Sequence, residues 1–346
     1  LPNDAGDSAG ISKFISKEIM MHLKKSIAGL ALALIASLAG VTAAHAEELN
    51  FGIISTDSST SLKERWQPFL DDMQKATGVK INAYFAPDYA GVIEGMRFNK
   101  VQVAWLGNKS AMEAVDRSNA EIFAQVLYAN GGAGYKSLII TNVDSPIKTL
   151  DDLLKNAKDY SFGMGDPSST SGFLVPSYYV FALHNVDYKT AFRVVRNANH
   201  GANLLAVVNK QVDAATNNTE ELEKLEQTDP KAYAKVRIIW TSPTIPSDPF
   251  VWRKDLPADT KTKLKDFVVH YGKDDREKAI IKNIYNYAGF QASSDAQLVP
   301  IRQLELFKDK RKIEDDTSLS AADKQQQEHA IDEKLAKLSE SVAQAK

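Results

Sequence analysis

From Leu49 onward the hydrophobic period of the chain switches repeatedly between two and 3.6, and this constrains the fold more than any motif does. LNFGIIS reads as a buried strand. SLKERWQPFLDDMQKATG then places Leu62, Trp66, Phe69, Leu70 and Met73 on one helical face, with Gly78 as the stop. VKINAYFA, VQVAWLG, EIFAQVL and KSLIITN follow as strands, with DYAGVIEGMRFNK and KSAMEAVDRSN as intervening helices. The Gly-rich NGGAGY joins the last two strands as a turn. After the short helix TLDDLLKNA the pattern restarts: strand DYSFGMG, a helix of about 15 residues, helix GANLLAVVNKQ, strand VDAATNN, helix TEELEKLEQTDPKAYAK and strand VRIIWTS. Strands and helices in turn predict an α/β fold, sheets flanked by helices. The restart predicts two lobes, and a weak internal echo supports it: NKVQVAW at Asn99 and NKQVDAAT at Asn209 each follow an apolar helix and open a short strand.

The segment before this pattern is of another kind. In MHLKKSIAGLALALIASLAGVTAAHA, residues 21–46, a basic start at Lys24 and Lys25 precedes an apolar run from Ile27 to Ala39, and Ala44-His45-Ala46 is a small-x-small site. The apolar run is short for a membrane span, so the segment reads as a secretory signal peptide cleaved after Ala46. Residues 1–19 read as an upstream artefact or a mis-called start. The segment before Glu47 carries Lys13, Lys17, Lys24 and Lys25 against Asp4, Asp7 and Glu18, a net of +1, which leaves the remaining 300 residues near −3. A nucleic-acid partner would need a basic face. The chain has no Cys, hence no disulfide, no thiol nucleophile and no acylation site.

The richest local chemistry is GDPSSTSGF, residues 165–173, where Ser169, Thr170 and Ser171 stand between a turn-forming Asp-Pro and a Gly, just after a strand. One hydroxyl is enough to cap the following helix. Three beside a helix N-terminus also suit an anion, which is drawn to free N–H donors and the positive dipole end. His200 opens another helix, where it is either structural or a second donor. Glu220 in TNNTE and Asp248 in PSDPF lie at a helix start and a turn, where acids are common anyway. Tyr89 and Tyr135 stand at a helix start and where a strand resumes, as packing residues or ligand contacts. In open α/β sheets, ligands bind beyond the carboxyl ends of strands, where most of these residues fall.

Catalytic motifs do not emerge. GGAGYKS fails as a phosphate loop because Tyr135 separates Gly134 from Lys136 and a strand follows. His184, His200, His270 and His329 are too scattered for a local metal cluster. No metal and no cofactor are therefore expected. A hydrolase triad assembled in space stays open as a different class of function.

Over nearly the whole chain after residue 46 the sequence closely resembles the periplasmic phosphonate-binding proteins of bacterial phosphonate ABC transporters. The strings that carry the resemblance are LNFGIIST, FAPDYAGVIEGMRFNK, GDPSSTSGFLVP, QVDAATNNTE, DPFVWRK and ASSDAQLVPIRQL. The resemblance implies a two-lobed, type II periplasmic-binding-protein fold that closes on its ligand about a hinge. Lobe 1 is then 47–141 with 249–310, lobe 2 is 142–248, and 311–346 is a C-terminal helical extension. It implies a receptor rather than an enzyme, a phosphonate ligand with 2-aminoethylphosphonate foremost, and a permease in the inner membrane as partner. By resemblance, Ser169, Thr170, Ser171 and His200 meet the phosphonate, Tyr89 and Tyr135 flank it, and Glu220 and Asp248 take the ammonium. Leu106 departs from the pattern, which has Tyr there, and bears on one wall of the cleft. A receptor for phosphate, phosphite or a sulfonate is the alternative within the class.

The last stretch, DTSLSAADKQQQEHAIDEKLAKLSESVAQAK, is polar, with Ile331, Leu335 and Leu338 spaced four and three apart. It reads as a solvated surface helix, with docking on a second copy as a homodimer the alternative.

Overall fold

The computed structural model describes residues 48–129, 131–132 and 134–344; the expected signal peptide and upstream segment lie outside them. Among the described residues thirteen strands form the framework: β1 (Glu48–Ile53), β2 (Lys80–Phe85), β3 (Val103–Trp105), β4 (Ala120–Tyr128), β5 (Gly134–Tyr135), β6 (Ser137–Asn142), β7 (Ser161–Met164), β8 (Val194–Asn197), β9 (Ala214–Asn218), β10 (Val236–Thr241), β11 (Ile245–Pro246), β12 (Pro249–Arg253) and β13 (Tyr287–Ala292).

They assemble into a six-stranded sheet, β13-β4-β12-β3-β1-β2, and a five-stranded sheet, β10-β6-β9-β7-β8. In the first, β2, β1 and β3 run parallel and β12 is antiparallel to β3. The second repeats that plan: β8, β7 and β9 run parallel and β6 is antiparallel to β9. The echo at Asn99 and Asn209 therefore opens the equivalent strands β3 and β9. Each sheet with its helices makes one lobe of the expected α/β fold.

EIFAQVL and KSLIITN lie in different sheets, so the Gly-rich segment between them is a crossover between lobes rather than a hairpin turn. The expected boundary after residue 141 falls inside β6, which belongs wholly to the second sheet. The chain returns between β10 and β12. The two crossovers pair through β5 and β11, Tyr135 opposite Ile245 and Gly134 opposite Pro246. Gly134 has no substitute there, because a Cβ would fall 1.8 Å from the Ile245 carbonyl oxygen.

The core of the first lobe follows the helical face read from sequence. In the helix Ser59–Thr77, Leu62, Trp66, Phe69, Leu70 and Met73 are all buried. Ser58 caps the helix by accepting the Ser61 N–H, and Gly78 ends it at φ +71°. Trp66 packs on Trp105 with ring centroids 5.1 Å apart, which backs the end of β3 with rigid aromatic surface. Leu138, Ile140, Leu204 and Val207 form part of the second lobe's core.

Two expected helices differ. After the hydroxyl run the chain makes two π-type turns, Thr170–Leu174 and Ser177–Phe181, in place of one α-helix. The first is marked by the Leu174 N–H donating to the Ser169 carbonyl at 3.1 Å, five residues back. TEELEKLEQTDPKAYAK breaks at Asp229-Pro230 into Thr219–Thr228 and Pro230–Tyr233, since Pro230 has no N–H to continue the ladder. The helix Val299–Asp315 runs through the expected boundary at 310/311, and Ala321–Gln344 follows it. Ile331 is buried, and Lys310 bonds Asp332 across the two helices.

Candidate functional site

All eight residues singled out from sequence line one small, nearly filled cavity between the lobes. The cavity lies beyond the carboxyl ends of β1, β3, β7 and β9, as open α/β sheets direct.

The turn after β7 holds the three hydroxyls. Gly165 donates its N–H to the Gly172 carbonyl at 3.0 Å, and a Cβ on Gly165 would sit 2.5 Å from Gly172 backbone atoms, so the turn closes only around glycine. Ser169 is both cap and site residue: its Oγ accepts the Gly172 N–H at 3.0 Å and lies 3.4 Å from His200 Nε2. Ser171 Oγ lies 3.3 Å from the same nitrogen. Thr170 Oγ1 accepts the Lys109 N–H of the first lobe at 2.8 Å and keeps its own hydrogen to donate. Tyr89 joins from the first lobe, hydrogen bonding Ser169 with its hydroxyl and giving its N–H to Asp166 at 3.2 Å. His200 is buried, and burial followed by the nearby Lys224 charge holds its imidazole down to about 4, so it is neutral at pH 7. Its Nδ1 has no hydrogen-bond partner. The cluster presents several neutral donors and no full positive charge to an anion.

Glu220 and Asp248 line the same cavity, both buried. Glu220 opens the helix Thr219–Thr228, capped by Asn218, whose side chain accepts the Glu221 N–H. Asp248 ends the returning crossover just before β12. Burial, then the charge of Asp248, pushes the Glu220 carboxyl well above its usual range. Burial pushes Asp248 up to about 8, against a hydrogen bond from Tyr135. Asn108 Nδ2 donates to Asp248 Oδ1 at 3.4 Å and Tyr128 donates to Glu220 Oε1 at 2.9 Å. Among the described residues these partners are all neutral. Two buried carboxyls side by side without a cation retain protons or take a positive group.

Residues that sequence reasoning passed over complete the cavity: Ile54, Thr56, Trp105, Gly107, Asn218, Glu221 and Tyr285. Most follow a strand end, the same signal that marked the others. Leu106 is not among them; it is buried in the first lobe's core and donates its N–H to the Pro249 carbonyl at 3.1 Å. Leu106 therefore packs behind the site and is not part of its wall. Next to Tyr285 the lobes are tied by charge: Lys224 of the second lobe donates to Asp57 of the first at 2.7 Å and also pairs Glu221. Gly201 N–H donates to the Thr56 carbonyl at 3.1 Å, and Ser168 donates to Glu113 at 2.9 Å. The lobes are closed on one another.

Residues 51–298 match the family model described as ABC transporter, phosphonate, periplasmic substrate-binding protein. The chain is 56% identical over 305 residues to the phosphonates-binding periplasmic protein of Escherichia coli K12, covering 87% of this chain and 90% of that one. It is 27% identical to a phosphate-import protein of Mycolicibacterium smegmatis, over 72% of this chain and 82% of the relative. Its fold superposes with a TM-score of 0.85 and 53% identity on a crystal structure of a binding protein component of an ABC phosphonate transporter from Pseudomonas aeruginosa, covering 86% and 99% of the two chains. The chain belongs to the family of periplasmic phosphonate substrate-binding proteins of ABC transporters, which are transport receptors and not enzymes.

Proposed function

We propose that this protein captures phosphonates bearing an amine, 2-aminoethylphosphonate first among them, and hands them to its permease. The observation that carries this reading is the buried Glu220–Asp248 pair, held by neutral partners in the cavity that the hydroxyl cluster also lines. A phosphonate gives up its hydration shell only for directed donors. Ser169, Thr170, Ser171, His200 and Tyr89 supply them at one end, each bond to an ionised oxygen contributing about 1.5–3 kcal/mol. Tyr135 stands at the acid wall. There an ammonium satisfies two desolvated carboxylates, while a second anion would be repelled. The two lobes close about the paired crossovers, and bound ligand stabilises the closed state. The same reading makes residues 21–46 an export signal removed after Ala46; an intact mass starting elsewhere than Glu47 in the exported protein contradicts it. In this reading the helix Ala321–Gln344 is solvated on its outer face or docks a second copy; sizing of the full chain against one cut before Asp315 separates the two.

Calorimetric titration with 2-aminoethylphosphonate, methylphosphonate and inorganic phosphate tests the assignment. The aminated ligand should bind tightest. Equal binding of methylphosphonate removes the acids from the ligand. Tighter binding of phosphate favours the oxyanion receptor that the phosphate-import relative's name brings in as the second reading.

A further inference from the structure

We propose that Tyr128 is a positioning residue for amine recognition, orienting and charging Glu220 from the opposite lobe. The inference rests on the reading of Glu220 and Asp248 as the ammonium site.

Tyr128 is the last residue of β4, in the first sheet, whereas Glu220 stands on the second lobe. Its hydroxyl donates to Glu220 Oε1 at 2.9 Å, and both side chains are buried. Tyr128 does not line the cavity, so it reaches a ligand only through Glu220. The ring is itself fixed: Tyr287 packs edge-on with centroids 5.7 Å apart, and Tyr135 tilts against it at 6.2 Å. A ring held on two sides points its hydroxyl one way, and that direction ties down one carboxylate oxygen. Glu220 itself lines the cavity, so its carboxylate meets a cation there in the orientation this bond sets.

The bond also sets charge. Burial, and then the Glu220 charge, keep the Tyr128 hydroxyl protonated far beyond neutral pH, so toward the carboxylate it acts as a donor. A donor on the carboxylate favours its ionised form, and the neighbouring Asp248 favours the protonated one. In the ligand-free cavity burial and Asp248 hold the Glu220 proton even with this bond in place, so the hydroxyl eases the ionisation that an arriving ammonium completes. Because the two residues sit on different lobes, the ammonium site reaches its working form only when the lobes close.

Tyr128→Phe tests this, since the ring and its packing stay. Calorimetry should show 2-aminoethylphosphonate weakened by about tenfold or more and methylphosphonate changed by less than about twofold, the scale of one hydrogen bond to a charged group. In a Glu220→Gln background, Tyr128→Phe should have no further effect on the aminated ligand, because the two residues act as one unit. Loss of both ligands alike overturns the proposal. So does unchanged binding of the aminated ligand, or an equal loss in the Gln background. The underlying reading fails differently: the unaltered protein would not prefer the aminated ligand, or Glu220→Gln alone would be harmless.

Discussion

Glu220 and Asp248 are ordinary residues in sequence, a first-turn acid and a turn Asp. Only burial turns them into a site. Asp248 titrates at about 8 in the folded chain and near 3.9 in an unfolded one. The folded state therefore holds the proton more tightly. Its contribution to stability is full below about pH 4 and is lost as the pH rises toward about 8. The thermal midpoint of the ligand-free protein should fall over that window, and Asp248→Asn should reduce the fall. A pH profile that Asp248→Asn leaves unaltered contradicts the paired-acid picture. The eight candidate residues stood out because most sit at a strand end or helix start, where loop chemistry meets the sheet, and the family resemblance supplied their expected roles. Tyr128 did not, because a Tyr closing an apolar strand looks like core until its partner 92 residues away is seen.

At the scale of elements, the turn after β7 does two jobs. Ser169 caps it, and the π-type turn behind brings Ser169 and Ser171 to one histidine nitrogen. Nothing in the pattern of residues 170–181 distinguishes a π-type turn from an α-helix, since each wider turn is too short to shift the periodicity. The tightness of the turn rests on Gly165, whose added methyl would strike backbone, not a movable side chain. Gly165→Ala should therefore shift the hydroxyls and weaken aminated and plain phosphonates together, by at least one charge-assisted hydrogen bond, about 1.5–3 kcal/mol. A loss confined to one ligand, seen by the same titration, would separate the turn from the phosphonate head.

Across the whole molecule, periodicity revealed two lobes, but the crossovers stayed hidden. NGGAGY has the composition of a hairpin turn, and only the pairing of β5 with β11, 110 residues apart at Tyr135 and Ile245, makes it a passage between sheets. The contacts that hold the lobes together are equally long-range. Asp57 and Lys224 are partly buried, with side chains 16% and 17% exposed. Such a pair contributes about 1 kcal/mol at most where solvent reaches it. Removing it taxes every ligand that needs the closed state. Lys224→Met should weaken 2-aminoethylphosphonate and methylphosphonate by the same factor, up to about fivefold. Unequal losses in parallel titrations would place Lys224 at the ligand instead of at the closure.

The cavity is built unequally. Ser169, Thr170, Ser171, His200 and Glu220 stand on the second lobe, while the first brings Tyr89, Tyr128 and the Lys109 amide over them. If the proposed site assignment holds, an incoming phosphonate finds most of its donors on a single surface before any closure. The speed of capture is then a property of the second lobe, and the residence time a property of the bonds the first lobe adds. Changes in the hydroxyl run should appear in association rates, and changes in the cross-lobe bonds in dissociation rates. A receptor divided this way can slow release without slowing capture.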